Sequence, residues 1–245
     1  MKNKKILVTG GSRGIGKSIV FKFAKNNYDA IFTFSNNSKE ADSTIKELNS
    51  LGLNAKAVQC DFTSHESISN MYKSFEEKQT IFDVLVNNAG WTKYLDDKNL
   101  DSLSLDDFQK IIKINLESVF HNIQLAVPIL KNKNSNIINI SSIAGYNAVG
   151  SNIAYCAAKA GVNSLTKSFA KILGPNTRVN GVAPGLTHTE MTEDGPKEYI
   201  ENQKMITPLN RIAKPEDISE VVFSIVENMK FINGKTIVVD GGRLN

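Results

Sequence analysis

Lys5-Ile6-Leu7-Val8-Thr9-Gly10-Gly11-Ser12-Arg13-Gly14-Ile15-Gly16 is the stretch on which the fold turns. Its apolar run makes a short strand with no polar face, as a strand covered by helices on both sides must be. The glycines follow at once. They permit positive φ, let a phosphate approach the backbone, and allow a helix to start hard against the sheet. Free amides at that helix N-terminus then face an anion. A glycine triplet alone also closes purely structural turns. Its place between a strand and a helix is what points to a nucleotide.

Outward from this stretch the chain alternates. Short β-branched runs at 5–9, 30–34, 55–59, 83–87, 136–140, 178–183 and 236–239 separate longer amphipathic segments. Ser38 is expected to cap a helix over 39–50 that Gly52 stops, and Ser64 one over 66–77. Ser104, with Asp106 and Asp107 in the first turn, opens a single long helix to Leu130, and Pro215 with Glu216 and Asp217 starts the last. Such alternation implies right-handed crossovers. The expected fold is α/β: a Rossmann-type, doubly wound, seven-stranded parallel sheet with helices on both faces. No repeat, linker or composition break divides it, so 1–245 reads as a single domain.

Composition narrows the class. With 41% hydrophobic and 22% charged residues, the 245-residue chain reads as globular. The net charge of +4 is spread along the sequence without a basic stripe, which excludes a nucleic-acid binder but suits phosphate ligands. Cys60 and Cys156 lack a metal-type spacing, as do His65, His121 and His188, so no metal is expected and His121 reads as a packing residue. No apolar run resembles a signal peptide or reaches the roughly 20 residues of a membrane span. A cytoplasmic protein is expected.

The second strand ends Thr33-Phe34-Ser35-Asn36-Asn37-Ser38, with no carboxylate until Glu40. An acidic residue there would bind the adenosine ribose and repel a 2′-phosphate. Its absence, and Arg13 in the glycine turn, point to NADP(H) rather than NAD(H). Arg13 as a solvated turn residue is the plainer alternative. Further on, Tyr155-Cys156-Ala157-Ala158-Lys159 sets a phenol and an ammonium on one helix face. A fixed cation there would lower the tyrosine pKa from about 10 toward a useful acid. Ile138-Asn139-Ile140-Ser141-Ser142 supplies hydroxyls at a strand end, where open α/β sheets place ligands.

The order of these features, with Asn87-Asn88-Ala89-Gly90, Ile114-Asn115-Leu116, Ala183-Pro184-Gly185-Leu186-Thr187-His188-Thr189 and the ending Asp240-Gly241-Gly242, resembles the short-chain dehydrogenase/reductase family over essentially the whole chain. The resemblance implies a catalytic set of Asn115, Ser142, Tyr155 and Lys159. Ser142 would polarise a substrate carbonyl, Tyr155 would give the proton, and Lys159 with Asn115 and a water would resupply it. It also implies NADP(H) contacts from Gly10, Ser12, Arg13, Gly14, Ile15 and Gly16 in the turn. Ser35 and Asn36, then Asp61 and Phe62 at the adenine, would follow. Asn88, Ala89 and Gly90, Tyr155 and Lys159, and Pro184, Gly185, Thr187 and Thr189 would complete the set.

Within the family, the chain is similar to the 3-oxoacyl-(acyl-carrier-protein) reductase group through its turn, residues 207–218 and its ending. That implies an acyl-thioester substrate, docking of an acyl carrier protein, with Lys133 and Lys171 as candidate contacts, and a homotetramer or homodimer. A sugar or other small alcohol stays open as substrate, as does a catalytically idle NADP-binding sensor. Residues 91–98 depart from that group and are slightly longer, and 173–178 are shorter. Residues 189–207 are expected to cover the substrate, and Trp91, Tyr94 and Tyr146 to line its pocket or pack nearby.

Overall fold

The computed structural model describes residues 3–95, 100–193 and 197–244. Asp96, Asp97 and Lys98 of the departing loop, and Gly195-Pro196, lie outside the described residues. The strands are β1 (Lys4–Val8), β2 (Tyr28–Phe34), β3 (Ala55–Gln59), β4 (Val84–Asn87), β5 (Ser135–Ile140), β6 (Thr177–Pro184) and β7 (Thr236–Val239). All pair in parallel, in the order β3-β2-β1-β4-β5-β6-β7. This is the doubly wound sheet that the alternation predicts.

Helices α1 (Gly14–Ala24), α2 (Ser38–Ser50), α3 (His65–Glu77), α4 (Leu105–Ile112), α5 (Ser118–Ala126), α6 (Ala144–Asn147), α7 (Ile153–Leu173), α8 (Glu190–Glu193), α9 (Lys197–Met205) and α10 (Pro215–Glu227) make up the rest. The period-2 alternation of strand side chains sorts the apolar residues into two cores. Ile6, Val8, Val84, Val86, Ile138 and Ile140 meet α1 and α10 through Phe23, Ile218 and Val222. Leu7, Leu85 and Ile137 face the other way, onto Ile68 of α3, Ile123 of α5 and Val162 of α7.

Between the faces runs a buried amide chain. Asn87 donates to Asn139 (2.8 Å), Asn122 to Asn87 (2.5 Å), Tyr72 to Asn122 (2.6 Å) and Asn139 to Thr166 (2.9 Å). These groups satisfy one another where water does not reach, and so tie α3, α5 and α7 to the middle of the sheet.

Two expectations need correcting. The cap of α2 is Asn37, whose side chain accepts from the Glu40 amide (3.3 Å), so the helix begins at Ser38 itself. The segment from Ser104 to Leu130 is not one helix. After α4 the chain makes a π-helical turn over Lys113–Glu117, then α5, then a 3-10 turn over Val127–Ile129 that contains Pro128. Side chains occupy carbonyls in the widened turn: the Asn115 amide donates to Ile111 O (2.9 Å) and the Ser118 hydroxyl to Ile114 O (2.6 Å).

At the far end of β6, Arg178 closes the C-terminus of α10. Its guanidinium donates to the carbonyls of Ile225, Val226, Met229 and Ile232 at 2.9–3.2 Å. Ile225 and Val226 are among the orphan acceptors that every helix end must satisfy, and Met229 and Ile232 belong to the loop that follows. Arg178→Ala is therefore expected to cost about 2–3 kcal/mol and to lower Tm by roughly 4–10 °C, measured by thermal melts. A change under about 0.5 kcal/mol would show that water serves those carbonyls equally well.

Candidate active site

β1 and β4 are neighbours whose crossovers leave to opposite sides, and a crevice opens at the C-terminal ends of the strands there. The cleft has a volume of about 710 Å³. Every residue that the sequence nominates for catalysis or for the cofactor lies on its wall.

At one end is the glycine turn. Gly10 and Gly14 hold φ of +65° and +52°, which side-chain-bearing residues rarely adopt. A Cβ on Gly16 would stand 2.2 Å from Gly10 O and 2.5 Å from the Asn88 amide nitrogen. That amide donates to Thr9 O (2.9 Å) and Gly10 O (3.0 Å), and Thr9 Oγ1 accepts from the Asn88 and Ala89 amides at 2.9 Å. The turn is thus locked against the end of β4 and presents bare backbone to the cleft. Ser35 and Asn36 follow β2; Asp61 follows β3, held by its side-chain bonds to Thr63 (2.8 Å). Pro184, Gly185, Thr187 and Thr189 form the opposite wall. This cradle fits a dinucleotide: it is long, its floor is glycine backbone, and it has a cation, Arg13, at its adenosine end.

At the other end, Ser142 lies near enough to the Tyr155 phenol to pull its pKa down, and accepts from the Ala144 amide (3.1 Å). Tyr155 sits in the first turn of α7, which Asn152 caps by accepting from the Tyr155 amide (2.9 Å). The Lys159 ammonium donates to Ile140 O (2.9 Å). Asn115, in the π-helical turn, donates to Trp91 O (2.6 Å) as well as to Ile111, and its buried Oδ1 has no partner among the described residues.

The charge picture differs from the expected one. Burial pushes the Tyr155 phenol up to about 12, against the lowering pull of Ser142. The Lys159 ammonium lies 5.5 Å from the centre of the tyrosine ring. Burial instead pushes Lys159 down to about 8.

The pocket beyond Tyr155 was only partly visible in the sequence. Trp91 and Tyr94 line it. Tyr146 does not: half-exposed, it turns to β7 and donates to Thr236 O (3.5 Å). Asn152 donates to Thr92 (3.1 Å) and Lys93 O (2.8 Å), strapping this loop to α7. Of segment 189–207, Thr189, Glu190, Thr192, Tyr199 and Gln203 border the cleft. Tyr199 of α9 meets Tyr94 edge-on (centroids 6.2 Å), and Gln203 accepts from Arg243 (3.3 Å). Lys110 lies over Trp91, 4.3 Å from its ring centre. Glu40, Lys110, Tyr199, Gln203 and Arg243 were missed, and no local spacing announces them.

Other nominated groups lie elsewhere. Lys133 and Lys171 are exposed just before β5 and near the end of α7, at the opposite end of the sheet from the cleft. His121 is half-buried beside His65 (ring centroids 5.1 Å) rather than a core packing residue. Cys60 and Cys156 are both buried. Among the described residues, no helix is long and apolar enough to cross a membrane.

A glycine cradle joined at the strand ends to a serine-tyrosine-lysine cluster defines a dinucleotide-binding oxidoreductase. A family model described as "Enoyl-(Acyl carrier protein) reductase" matches residues 10–243. The 3-oxoacyl-[acyl-carrier-protein] reductase FabG of Thermotoga maritima is 36% identical over 246 residues, covering 99% of this chain and 98% of that protein. Its counterpart in Staphylococcus aureus (strain Mu50) is 36% identical over 244 residues, 98% of this chain and 97% of that one. Among solved structures, a short chain dehydrogenase from Burkholderia cenocepacia J2315 in complex with NADP superposes with a TM-score of 0.91 at 30% identity, covering 99% and 98%. The short-chain dehydrogenase/reductase from Serratia marcescens gives 0.90 at 29% identity, again covering 99% and 98%. The chain belongs to the short-chain dehydrogenase/reductase family, whose members are NAD(P)-dependent oxidoreductases acting on carbonyl or hydroxyl groups.

Proposed function

We propose that this chain is an NADPH-dependent carbonyl reductase that converts 3-oxoacyl thioesters to 3-hydroxyacyl thioesters. The observation that carries the reading is the convergence of Ser142, Tyr155 and Lys159 at one end of a cleft whose other end is a glycine cradle. When bound, NADPH supplies the hydride for the carbonyl carbon. The turn from Gly10 to Gly16 would hold the diphosphate, Arg13, Ser35 and Asn36 the 2′-phosphate, Asp61 and Phe62 the adenine. Asn88, Ala89, Gly90, Pro184, Gly185, Thr187 and Thr189 would hold the remainder, with Tyr155 and Lys159 at the nicotinamide ribose.

Ser142 and Tyr155 offer two hydroxyls to a single substrate oxygen. That pairing favours reduction of C=O over the C=C reduction named by the matching family model. Tyr155 donates the proton as charge develops on that oxygen, and Lys159 and Asn115 resupply it. The relatives named as 3-oxoacyl-[acyl-carrier-protein] reductases support the thioester substrate and an acyl carrier protein as its bearer. Exposed Phe120 on α5 and Ile172 on α7 support a homo-oligomer, a dimer or a tetramer.

The test is oxidation of NADPH by the purified protein with acetoacetyl thioester, beside keto sugars and small ketones. Turnover of the thioester supports the reading; turnover of the others alone moves the substrate to small-molecule metabolism. A pH profile then tests the relay. Because Lys159 titrates at about 8, its proton-donating form is lost as pH rises through that value. The kcat of reduction is expected to fall about tenfold per pH unit above it, while oxidation of the hydroxy product, which needs the deprotonated form, rises over the same range. A reduction rate that stays flat to about two units higher would remove Lys159 from the relay.

A further inference from the structure

One face of α2 lies along the glycine turn and α1. Glu40, Thr44 and Glu47, at i, i+4 and i+7, meet Arg13, the Ser12 carbonyl and Lys17 in turn. Arg13 is therefore a cation with an internal counter-ion. Its Nη1 lies 3.8 Å from Glu40 Oε1, and both side chains border the cleft at the end that follows β2. Glu40 is also held in place. Asn37 accepts from its amide, and the Thr44 hydroxyl pins the helix to Ser12 O at 2.9 Å, so the backbone that carries the carboxylate is fixed beside the turn.

We propose that Glu40 sets this chain's discrimination between NADPH and NADH, by competing with the 2′-phosphate for Arg13. The inference rests on the reading of the cleft as a dinucleotide site and deepens it. A ribose 2′-phosphate engages a guanidinium most strongly when it takes two of its N–H donors. To do so here it must draw Arg13 away from Glu40 and then lie beside a carboxylate of its own sign. Both effects subtract from what Arg13 contributes. A 2′-hydroxyl brings no charge, leaves the pair intact, and has in Glu40 a hydrogen-bond acceptor. The preference for NADPH is thus set by two opposed residues that lie 27 positions apart, and is narrower than Arg13 alone would give. Side-chain exposures of 53% and 33% let water screen the pair, so the effect is a few-fold rather than many decades.

The test is the dissociation constant of NADPH and of NADH, titrated by their own fluorescence against the parent protein, Glu40→Gln and Glu47→Gln. Glu40→Gln keeps the shape of the side chain at the start of α2 and removes only its charge. It is expected to tighten NADPH about fivefold, leave NADH unchanged or slightly weaker, and steepen the salt dependence of NADPH binding. Glu47→Gln removes the same charge from the same helix face, at the Lys17 pair, and is expected to change the NADPH:NADH ratio by less than about 1.5-fold. A ratio unmoved by Glu40→Gln, or moved equally by Glu47→Gln, overturns the inference alone. A parent protein that binds neither nucleotide overturns the dinucleotide reading as well.

Discussion

Tyr155→Phe is expected to lower the kcat of carbonyl reduction by about 10²- to 10⁴-fold while leaving the NADPH dissociation constant within about threefold of the parent. The substitution deletes one oxygen and keeps the ring, so the cap of α7 and the Lys159 ammonium over the ring should persist. What is lost is the phenol hydroxyl that, in the proposed mechanism, passes a proton to the substrate oxygen. Ser142 remains to polarise the carbonyl, which sets the floor of residual activity. The phenol's elevated position, near 12, means that it is fully protonated across the physiological range and ready to donate. Single-turnover rates and NADPH titrations on the same preparation separate the two effects. Parent-like turnover in Tyr155→Phe would sink the assignment; equal loss of turnover and binding would make Tyr155 a cofactor ligand first.

Gly16→Ala is expected to weaken NADPH binding by roughly 10- to 100-fold and to destabilise the fold by about 1–3 kcal/mol. The argument is steric rather than conformational. The added methyl would lie 2.2 Å from Gly10 O, a backbone atom in a turn that Asn88 already clamps from the other side. No flexible side chain is available to move away. Gly14→Ala is the informative contrast. Its Cβ would meet the Thr189 methyl at 3.1 Å, a contact that a small rotation relieves, but its φ of +52° carries a modest left-handed penalty. Dinucleotide affinity and thermal melts should therefore rank parent, Gly14→Ala, Gly16→Ala in descending order. The reverse order of the two variants would mean that backbone conformation, and not close approach, governs the cradle.

What could be read in the sequence was what lies close together along it. The turn after β1, the Tyr155–Lys159 pair and the hydroxyl at the end of β5 each depend on a local spacing that strand or helix geometry converts directly into position. The strands were legible because several of their runs, such as Ile6-Leu7-Val8 and Val84-Leu85-Val86, are unbroken apolar stretches, and the rest recur between amphipathic segments. What could not be read depends on distant segments meeting. Glu40 looked safely beyond the end of β2, yet α2 folds it back onto Arg13. Tyr199 and Arg243 reach the cleft only because α9 and the C-terminus pass beside it. The direction of the Tyr155 shift escaped for a related reason. An i, i+4 spacing guarantees a shared face, but it does not say how deeply that face is buried, and burial is what raises the phenol.

The widened turn at Lys113–Glu117 acts as a stutter in the amphipathic pattern. On an uninterrupted α-helix, the stripe begun at Ile111 would return at positions 118 and 125; the apolar positions buried beyond the turn are instead Val119, Ile123 and Ala126, each displaced toward a register one residue later. Losing one residue here would bring the stripes before and after it into phase, giving a straighter helix with every backbone bond regular. It would also pull Asn115 out of the cleft. On the proposed role of Asn115 in the proton relay, the same small deletion that tidies the scaffold is expected to lower turnover, so the irregularity sets stability against activity.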